Sequence, residues 1–233
     1  MSKVDLKVDW ATHAAAKYAC KNWHYSGCLP GAKKTMFVGA WEDGVFIGVV
    51  IYSPGATNML GSPYGLNQTS CTELVRVALS KHQSFVSEII SKSFKFLKKR
   101  SPGIRLIVSF ADPREGHTGV IYQAGNWIYT GETTKTSAYK TIQGKIIHPR
   151  SIGASDFKKG KKKALPTGAV KIILPGKHRY LMPLDKKMRK QILPLSKPYP
   201  KKHAAEVGNG SDQEHSGGST PTQPLQAQEM KNG

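Results

Sequence analysis

Side chains that can exchange protons stand at two places where the sequence predicts that a regular element ends. His24 and Tyr25 follow the segment 10–23, which is rich in alanine and has helical propensity. Asp112 follows the apolar run 104–110, typical of a buried strand, and ligands of open α/β sheets bind just beyond the carboxyl ends of strands. Imidazole, phenol and carboxylate are groups used in general acid–base catalysis. The pattern predicts a catalytic site, but aromatic packing at the helix end and helix capping by Asp112 remain open alternatives.

Three further side chains extend this candidate site. Tyr122 lies three residues after Gly119 on a predicted short helix, where its phenol either packs in the core or acts as a proton donor. Glu73 and Arg76 lie three residues apart on a predicted strand, so they point to opposite faces and only one of them can face the site. A buried arginine needs a counter-charge, and we expect Arg76 to pair with Asp112, in a catalytic or a purely structural role.

The cysteines give little support for a metal site or a disulfide scaffold. Cys20, His24 and Cys28 recur at intervals of four residues, as metal ligands on a helix can do. The predicted helix ends before Cys28 and no fourth ligand is evident, so a zinc site is disfavoured. With Cys71 the cysteines number three and have no paired spacing, which indicates free thiols in a reducing compartment.

The elements that must position these residues form a mixed α/β pattern. Glu42-Asp43-Gly44 separates two apolar, β-branched runs and predicts a β-hairpin. A later helix, capped by Ser84 or Ser87 and ending at Arg100, lies between two predicted strands, which suggests a parallel crossover. The predicted order is helix, strand, strand, strand, helix, strand, helix and strand, over residues 10–23, 36–41, 45–52, 73–80, 84–100, 104–110, 116–124 and 127–130.

The basic residues are concentrated in one part of the chain. Of a net charge of +20, residues 135–202 contribute +17, residues 1–134 contribute +6 and residues 203–233 contribute −3. We expect a catalytic domain over 1–134, a basic extension over 135–202 that packs on this domain or continues it, and a disordered polar tail over 203–233. The extension is expected to contain a solvated lysine-rich loop, a strand and a short basic helix, over residues 158–163, 171–174 and 185–192.

So much charge of one sign repels itself unless a polyanion binds it. We expect the partner to be double-stranded DNA, because each phosphate that a cation neutralises releases condensed counterions. A membrane is disfavoured, since the sequence contains neither an apolar run near transmembrane length nor a Trp- or Leu-rich amphipathic helix beside the charge. Residues 1–9 are charged and lack the apolar stretch of a signal peptide, so we expect a cytoplasmic protein. The sequence leaves a homodimer open.

The order of elements resembles that of the GNAT acyltransferase fold, in which a tyrosine follows the long helix. The resemblance implies an α/β (α+β) fold with a mixed, mostly antiparallel sheet, flanking helices and a splayed pair of parallel strands that holds acyl-CoA. The amides of Ser84, Phe85 and Val86, which open the long helix, would then bind the pyrophosphate of acetyl-CoA or a related acyl donor. Tyr122 lies where the family's tyrosine protonates the departing thiolate. The family's glycine-containing pyrophosphate loop is absent from residues 80–86.

A more specific resemblance is to the Mom family of phage DNA-modification proteins. The segments that carry it, besides the long helix, are residues 23–26, 73–79, 109–113, 116–119, 121–124 and 177–185. The family converts the N6 amine of adenine in phage DNA to a carbamoylmethyl amine, which blocks host restriction enzymes. The resemblance implies that His24, Tyr25, Arg76, Asp112 and Tyr122 are functional, and it raises an iron ion and an acetyl-CoA-derived group as participants.

These residues suit a reaction in which a weakly nucleophilic amine must leave the base stack and react in a dry pocket. We assign His24 or Asp112 as the base or as a metal ligand, Tyr122 as the acid and Arg76 as an orienting charge. Tyr25 and the loop 53–71 are candidates for stacking on a flipped base.

Two other functions remain open. An N-acetyltransferase acting on protein or small-molecule amines would share the fold, but it would not need the basic segment and would normally carry the glycine loop. A non-catalytic DNA-binding protein would account for the charge but not for the combination of His24, Asp112 and Tyr122. The sequence therefore favours a transferase that modifies adenine in DNA.

Overall fold

The computed structural model describes residues 4–32, 34–147 and 165–201, which belong to one compact unit ending at Lys201. The lysine-rich run 158–163 and the tail 203–233, predicted to be a solvated loop and a disordered segment, lie outside the described residues. No helix in the described part of the chain is long and apolar enough to cross a membrane.

A seven-stranded sheet forms the centre of the fold. Its strands, in spatial order, are β1 (Leu6–Trp10), β2 (Met36–Glu42), β3 (Val45–Ser53), β4 (Cys71–Leu79), β5 (Leu106–Ala111), β10 (His178–Pro183) and β6 (Ile128–Glu132). β4 and β5 are parallel and the other neighbouring pairs are antiparallel, which confirms the predicted mixed, mostly antiparallel sheet. A smaller sheet has the order β8 (Ile146–Ile147), β7 (Thr136–Lys140) and β9 (Val170–Leu174).

The two parallel strands are paired over only part of their length. Their register begins with Cys71 opposite Leu106 and ends with Leu74 opposite Ser109, although β4 continues to Leu79 and β5 to Ala111. The strands therefore separate beyond Leu74 and Ser109, as predicted for a splayed pair. Where two strands separate, backbone groups and side chains in the middle of the sheet become accessible. In a flat, fully paired sheet they are not.

Helices cover both faces of the large sheet. They are α1 (His13–Trp23), α2 (Val86–Arg100), α3 (Val120–Gln123) and α4 (Lys186–Ile192). Val49 of β3 belongs to the apolar cluster that includes Ala16 of α1, whereas the next residue, Val50, belongs to the cluster that includes Ile89 of α2. Successive side chains of a strand point to opposite faces. β3 is consequently buried on both faces, which explains why its sequence is continuously apolar rather than alternating.

Some boundaries differ from the sequence prediction. The alternating segment Leu6–Trp10 forms the strand β1, and α1 begins only at His13, where Thr12 caps it by accepting a hydrogen bond from Ala15 N at 3.1 Å. Neither Ser84 nor Ser87 caps α2, whose N-cap residue is Phe85. α3 is shorter than predicted because Gly116 and Gly119 adopt left-handed φ angles of +69° and +80° that interrupt a helix.

Residues from the basic part of the chain are built into this fold. β10 pairs with β5 on one side and with β6 on the other, so the large sheet contains residues from both sides of position 134. α4 follows β10 and is capped by Asp185, whose carboxylate accepts a hydrogen bond from Met188 N at 2.7 Å. Met188 and Ile192 are buried in a cluster with Leu106 of β5.

Candidate active site

The point where β4 and β5 separate is occupied by a chain of hydrogen bonds. Ser109 Oγ lies 2.8 Å from the carbonyl oxygen of Leu74 and 2.8 Å from the hydroxyl oxygen of Tyr122. A carbonyl can only accept, and Ser109 has one proton to give. Both contacts are satisfied when Ser109 donates to Leu74 and Tyr122 donates to Ser109. Tyr122 thus holds together the last paired residues of the two parallel strands.

Tyr122 is a buried side chain on α3. Its ring packs 5.0 Å from the ring of Trp127 and 5.1 Å from that of Tyr180, measured between centroids. Burial raises its pKa to about 12 although the hydrogen bond with Ser109 opposes the shift. The phenol is therefore protonated near neutral pH, with that proton directed at Ser109 inside the protein.

Asp112 is a buried carboxylate held by two cations. Its side chain is 4% exposed, and its Oδ2 lies 2.6 Å from Arg114 Nη2 and 3.1 Å from Lys177 Nζ. Burial by itself would raise the pKa of Asp112, but the hydrogen bonds and charges of Arg114 and Lys177 outweigh it and lower the pKa to about 2. The expected partner Arg76 is therefore wrong, because Arg114 and Lys177 already supply the counter-charge. Asp112 also caps the 3₁₀ turn Pro113–Glu115, the alternative left open by the sequence.

His24 is a neutral imidazole whose hydrogen bonds fix its tautomer. The backbone N–H of Ser26 donates to His24 Nδ1 at 3.1 Å, and Ser26 Oγ lies 2.8 Å from the same nitrogen. Nδ1 is therefore the acceptor and the ring proton is on Nε2. Burial, assisted by the positive charge of Arg76 and by the nearby imidazole of His117, lowers the pKa of His24 to about 4.

Tyr25 connects the end of α1 to the turn after β5. Its ring stacks on His24 with 4.3 Å between centroids and meets the ring of His117 edge-on at 5.6 Å. The side chain of Tyr25 nevertheless remains 56% exposed. The structure thus brings His24, Tyr25 and the segment around Asp112 together and leaves more than half of Tyr25 accessible to solvent.

Arg76 and Glu73 of β4 both border the site. The prediction that they point to opposite faces is wrong, because β4 is irregular between Leu74 and Arg76, where its register with β3 shifts. Arg76 Nε donates to the carbonyl oxygen of Cys28 at 3.3 Å, which ties the loop after α1 to β4. Burial raises the pKa of Glu73 above its ordinary value, against the opposing charges of Lys177 and Arg76 and a hydrogen bond from the backbone of Ala56. Glu73 is therefore the carboxyl of the site whose proton affinity is shifted upward.

A carboxylate of the protein itself binds part of the segment predicted to hold the donor before α2. Glu42 is 8% exposed, and its Oε1 accepts from Gln83 N at 3.0 Å and from Ser84 N at 2.6 Å. Burial would raise the pKa of Glu42, but these hydrogen bonds outweigh burial and lower it. A cleft of about 580 Å³ beside the helix start is lined by Ser84 and Phe85 but also by the carboxylates of Asp5 and Glu88. A pyrophosphate would meet two carboxylates and one cation, Lys92, in this lining. Because the amide of Ser84 also donates to Glu42, Ser84, Phe85 and Val86 fit the phosphates of acetyl-CoA poorly.

The proposed metal ligands are engaged elsewhere. His24 Nδ1 accepts from Ser26, and Asp112 binds Arg114 and Lys177. Across residues 4–32, 34–147 and 165–201, no three His, Cys, Asp or Glu side chains come together as a metal site. The iron prediction therefore has no support in these residues. Cys20, Cys28 and Cys71 are free thiols, of which only Cys28 is exposed.

Sequence reasoning missed several residues of the site. Lys177 and Arg114 were not expected beside Asp112, and His117 was not expected beside Tyr25. Arg114 follows Asp112 by two residues, so the turn after β5 was a usable signal. Lys177 lies 65 positions after Asp112 and reaches it only because β10 pairs with β5, which no local pattern reveals. Tyr64, in the long loop expected to stack on a base, is buried.

The chain matches the model of a protein family, and its structure resembles solved structures of low sequence identity. The model of the Mom protein family matches residues 5–201. The methylcarbamoylase Mom of Escherichia phage Mu is 30% identical over 122 residues, and this alignment spans 49% of the chain and 49% of the phage Mu protein. Among solved structures, a proposed acetyltransferase of Acinetobacter baylyi is 10% identical with a TM-score of 0.45, covering 79% of this chain and 95% of that one. A proposed acetyltransferase of Salmonella typhimurium, solved with its cofactor acetyl-CoA, is 10% identical with a TM-score of 0.43, covering 78% of this chain and 95% of that one.

Proposed function

The chain belongs to the Mom protein family, and from this premise we propose that it is a transferase that converts the N6 amine of adenine in DNA to a carbamoylmethyl amine. The modification protects phage DNA from host restriction enzymes, and it takes place in the cytoplasm of the host cell. The relative in phage Mu, named a methylcarbamoylase, supports this proposal.

One observation in the structure carries the proposal. The exposed side chain of Tyr25 lies beside the turn that contains Asp112 and His117. A flipped base needs an aromatic surface for stacking and polar groups close to its edge. Tyr25 supplies the surface, and the neutral His24 beneath it presents the Nε2–H donor.

Three groups of the site could accept the proton that leaves the N6 amine. Asp112 is a poor base, because its pKa is about 2 and two cations hold its oxygens. His24 is also poor, because its pKa is about 4 and its free nitrogen accepts from Ser26. Glu73 binds a proton more tightly than an ordinary carboxyl, which brings its proton affinity closer to that required of a base near neutral pH. We assign Glu73 as the base.

The transfer then proceeds with N6 as the nucleophile. Its lone pair is delocalised into the ring, so attack needs removal of a proton as the new bond forms. N6 forms a bond to the carbon of an activated carbamoylmethyl donor, the leaving group departs with the bonding electrons, and Glu73 accepts the N6 proton. The charges of Arg76 and Lys177 oppose the effect of burial on Glu73 and so favour its ionised form, which is the form that can accept the proton. Tyr122 positions the ends of the parallel strands through Ser109.

The test is nucleoside mass spectrometry of DNA from cells that express the chain. We expect a new deoxyadenosine derivative that is heavier by one carbamoylmethyl substituent, together with DNA that resists some restriction enzymes. The matched control is the Tyr25→Ala variant, which removes the stacking surface while leaving the buried core intact. An acetylated nucleoside would instead identify an acetyltransferase, and unaltered DNA in cells rich in folded protein would contradict the proposal.

A further inference from the structure

The small sheet is attached directly beside the candidate active site. Its strands β7 and β9 are joined to the large sheet through Thr133 and Lys177, where Thr133 N donates to Lys177 O at 2.9 Å and Lys177 N donates to Thr133 Oγ1 at 2.9 Å. The side chain of the same Lys177 binds Asp112 at 3.1 Å. The base of the small sheet is therefore fixed to the buried acid of the site.

The other end of the small sheet projects away from this attachment. Thr136 pairs with Leu174 next to the attachment, and Lys140 pairs with Val170 at the far end of the same ladder. At about 3.4 Å per residue, the far end lies roughly 14 Å from the near end. The small sheet is thus an arm about as long as four stacked base pairs, with one end at the candidate site.

The far end of the arm carries an unusual row of side chains. Lys140 lies directly opposite Ile146 on one side and Val170 on the other, so the three side chains share one face. Ile146 is 43% exposed and Val170 is 64% exposed. Ile142, in the turn after β7, is 76% exposed and lies over Gly168, where a Cβ would come within 2.7 Å of Ile142 Cδ1. Branched apolar side chains therefore flank a cation, all open to solvent.

The charge of the arm identifies the kind of partner. Within the described segments 133–147 and 165–176, which make up the arm, there is no aspartate or glutamate. The cations in these segments are Lys135, Lys140, Lys145 and Lys171. Such a surface is complementary to a phosphate backbone, and its apolar row matches the side chains that architectural proteins insert between base steps.

We propose that this arm engages the duplex next to the target adenine and inserts the row Ile146, Lys140 and Val170 against the base stack, which helps the adenine to leave it. The inference rests on the proposed function, because it takes double-stranded DNA as the substrate. The lysine contacts a phosphate or base edge, while the two apolar side chains fill the space that the flipped base leaves.

The test compares two DNA duplexes, one fully paired and one in which the target adenine faces an abasic position. Binding is measured by fluorescence anisotropy for the unsubstituted protein and for the double variant Ile146→Ser/Val170→Ser. We expect the double variant to lose roughly tenfold in affinity for the paired duplex and much less for the other, because an unpaired adenine needs no wedge. Lys140→Gln should weaken binding to both duplexes equally.

The matched control is the double variant Val45→Ser/Leu193→Ser, which removes two apolar side chains that are 66% and 52% exposed but lie outside the arm. Equal losses on both duplexes, or no loss beyond this control, would overturn the inference. So would a dimer of the unsubstituted protein that the arm variant converts to a monomer with intact DNA binding, since the row would then be a contact between copies. Absence of modified adenine with the unsubstituted protein would instead contradict the proposed function, on which the inference rests.

Discussion

At the residue scale, the carboxyl of Glu73 is the group whose replacement most directly tests the chemistry. Glu73→Gln preserves the shape and removes the base, so we expect adenine modification to fall by roughly 10²–10⁴. Thermal stability should not fall, because burial disfavours the ionised carboxylate and the raised pKa records that penalty. Modification should also decline as the pH drops through this raised pKa, which a pH–rate profile measures.

The exposed Glu115, in the turn after β5, offers a matched control for this substitution. Glu115→Gln removes the same charge without touching the buried carboxyl, and it should leave modification within a few-fold of normal. If both variants lost activity equally, the overall charge of this surface, rather than a base at Glu73, would set the rate.

We expect Tyr122 to stabilise the fold rather than to donate a proton in the reaction. Tyr122→Phe removes the donor to Ser109 from a buried network, which should lower the free energy of unfolding by about 1 kcal/mol. Modification should fall by less than roughly tenfold, because the proton of the phenol is directed at Ser109. Denaturant unfolding and nucleoside analysis of the same variant check the two expectations. A loss of roughly 10²–10⁴ with unchanged stability would restore the role of proton donor.

Asp112 should make the protein sensitive to acid. Its pKa is about 2 in the folded protein and 3.8 ordinarily, so its ionised form stabilises the fold. This contribution is complete above about pH 4 and is lost as the pH falls from 3.8 towards 2. Asp112→Asn should therefore lower stability at neutral pH by about 1–2 kcal/mol and flatten the dependence on pH in this window. Arg114 and Lys177 keep 31% and 46% of their side chains exposed, so water partly replaces the missing carboxylate.

At the scale of elements, the segment that leads into α2 is already held by a carboxylate of the protein. Glu42 supplies the negative charge that the amides of Gln83 and Ser84 attract. We expect acetyl-CoA to leave the melting temperature unchanged in differential scanning fluorimetry. Glu42→Gln should lower stability by about 1 kcal/mol, because it replaces charge-assisted hydrogen bonds to two backbone amides by weaker neutral ones. A rise in melting temperature with acetyl-CoA that Glu42→Gln enhances would mean that a phosphate competes for these amides.

The elements that the sequence predicted well are those set by local signals. The hairpin between β2 and β3 follows from Asp43 and Gly44, which both adopt positive φ angles, of 48° and 81°, that this turn requires. α2 ends at Arg100 as expected because basic residues in its last turn precede Ser101-Pro102-Gly103. The contacts of Glu42 with Ser84 and of Asp112 with Lys177 join residues 42 and 65 positions apart. Such contacts depend on strand order, and short-range patterns do not encode strand order.

At the scale of the whole molecule, the position of the positive charge should matter more than its amount. Replacing Lys158, Lys159, Lys161, Lys162 and Lys163 with Gln should weaken DNA binding and reduce the slope of log affinity against log salt by roughly 0.9 for each phosphate that the protein no longer neutralises. Replacing Lys7, Lys17, Lys21, Lys92 and Lys95 instead removes the same charge from the other part of the chain. Equal slopes for the two variants would show that DNA binding depends on the net charge alone and not on the position of the lysines.

β6 joins the large sheet through β10, which lies 46 residues later in the chain, counting from Glu132 to His178. During synthesis on the ribosome, β5 and β6 are complete while the strand that belongs between them has yet to be made. Until β10 emerges, β5 presents an open edge. This strand contains residues that are buried in the complete fold, such as Leu106 and Ile107. Open edges promote association between chains. The large sheet therefore closes late in translation. Chains interrupted before residue 178 would be prone to aggregate, whereas chains released after residue 183 contain every strand of the sheet.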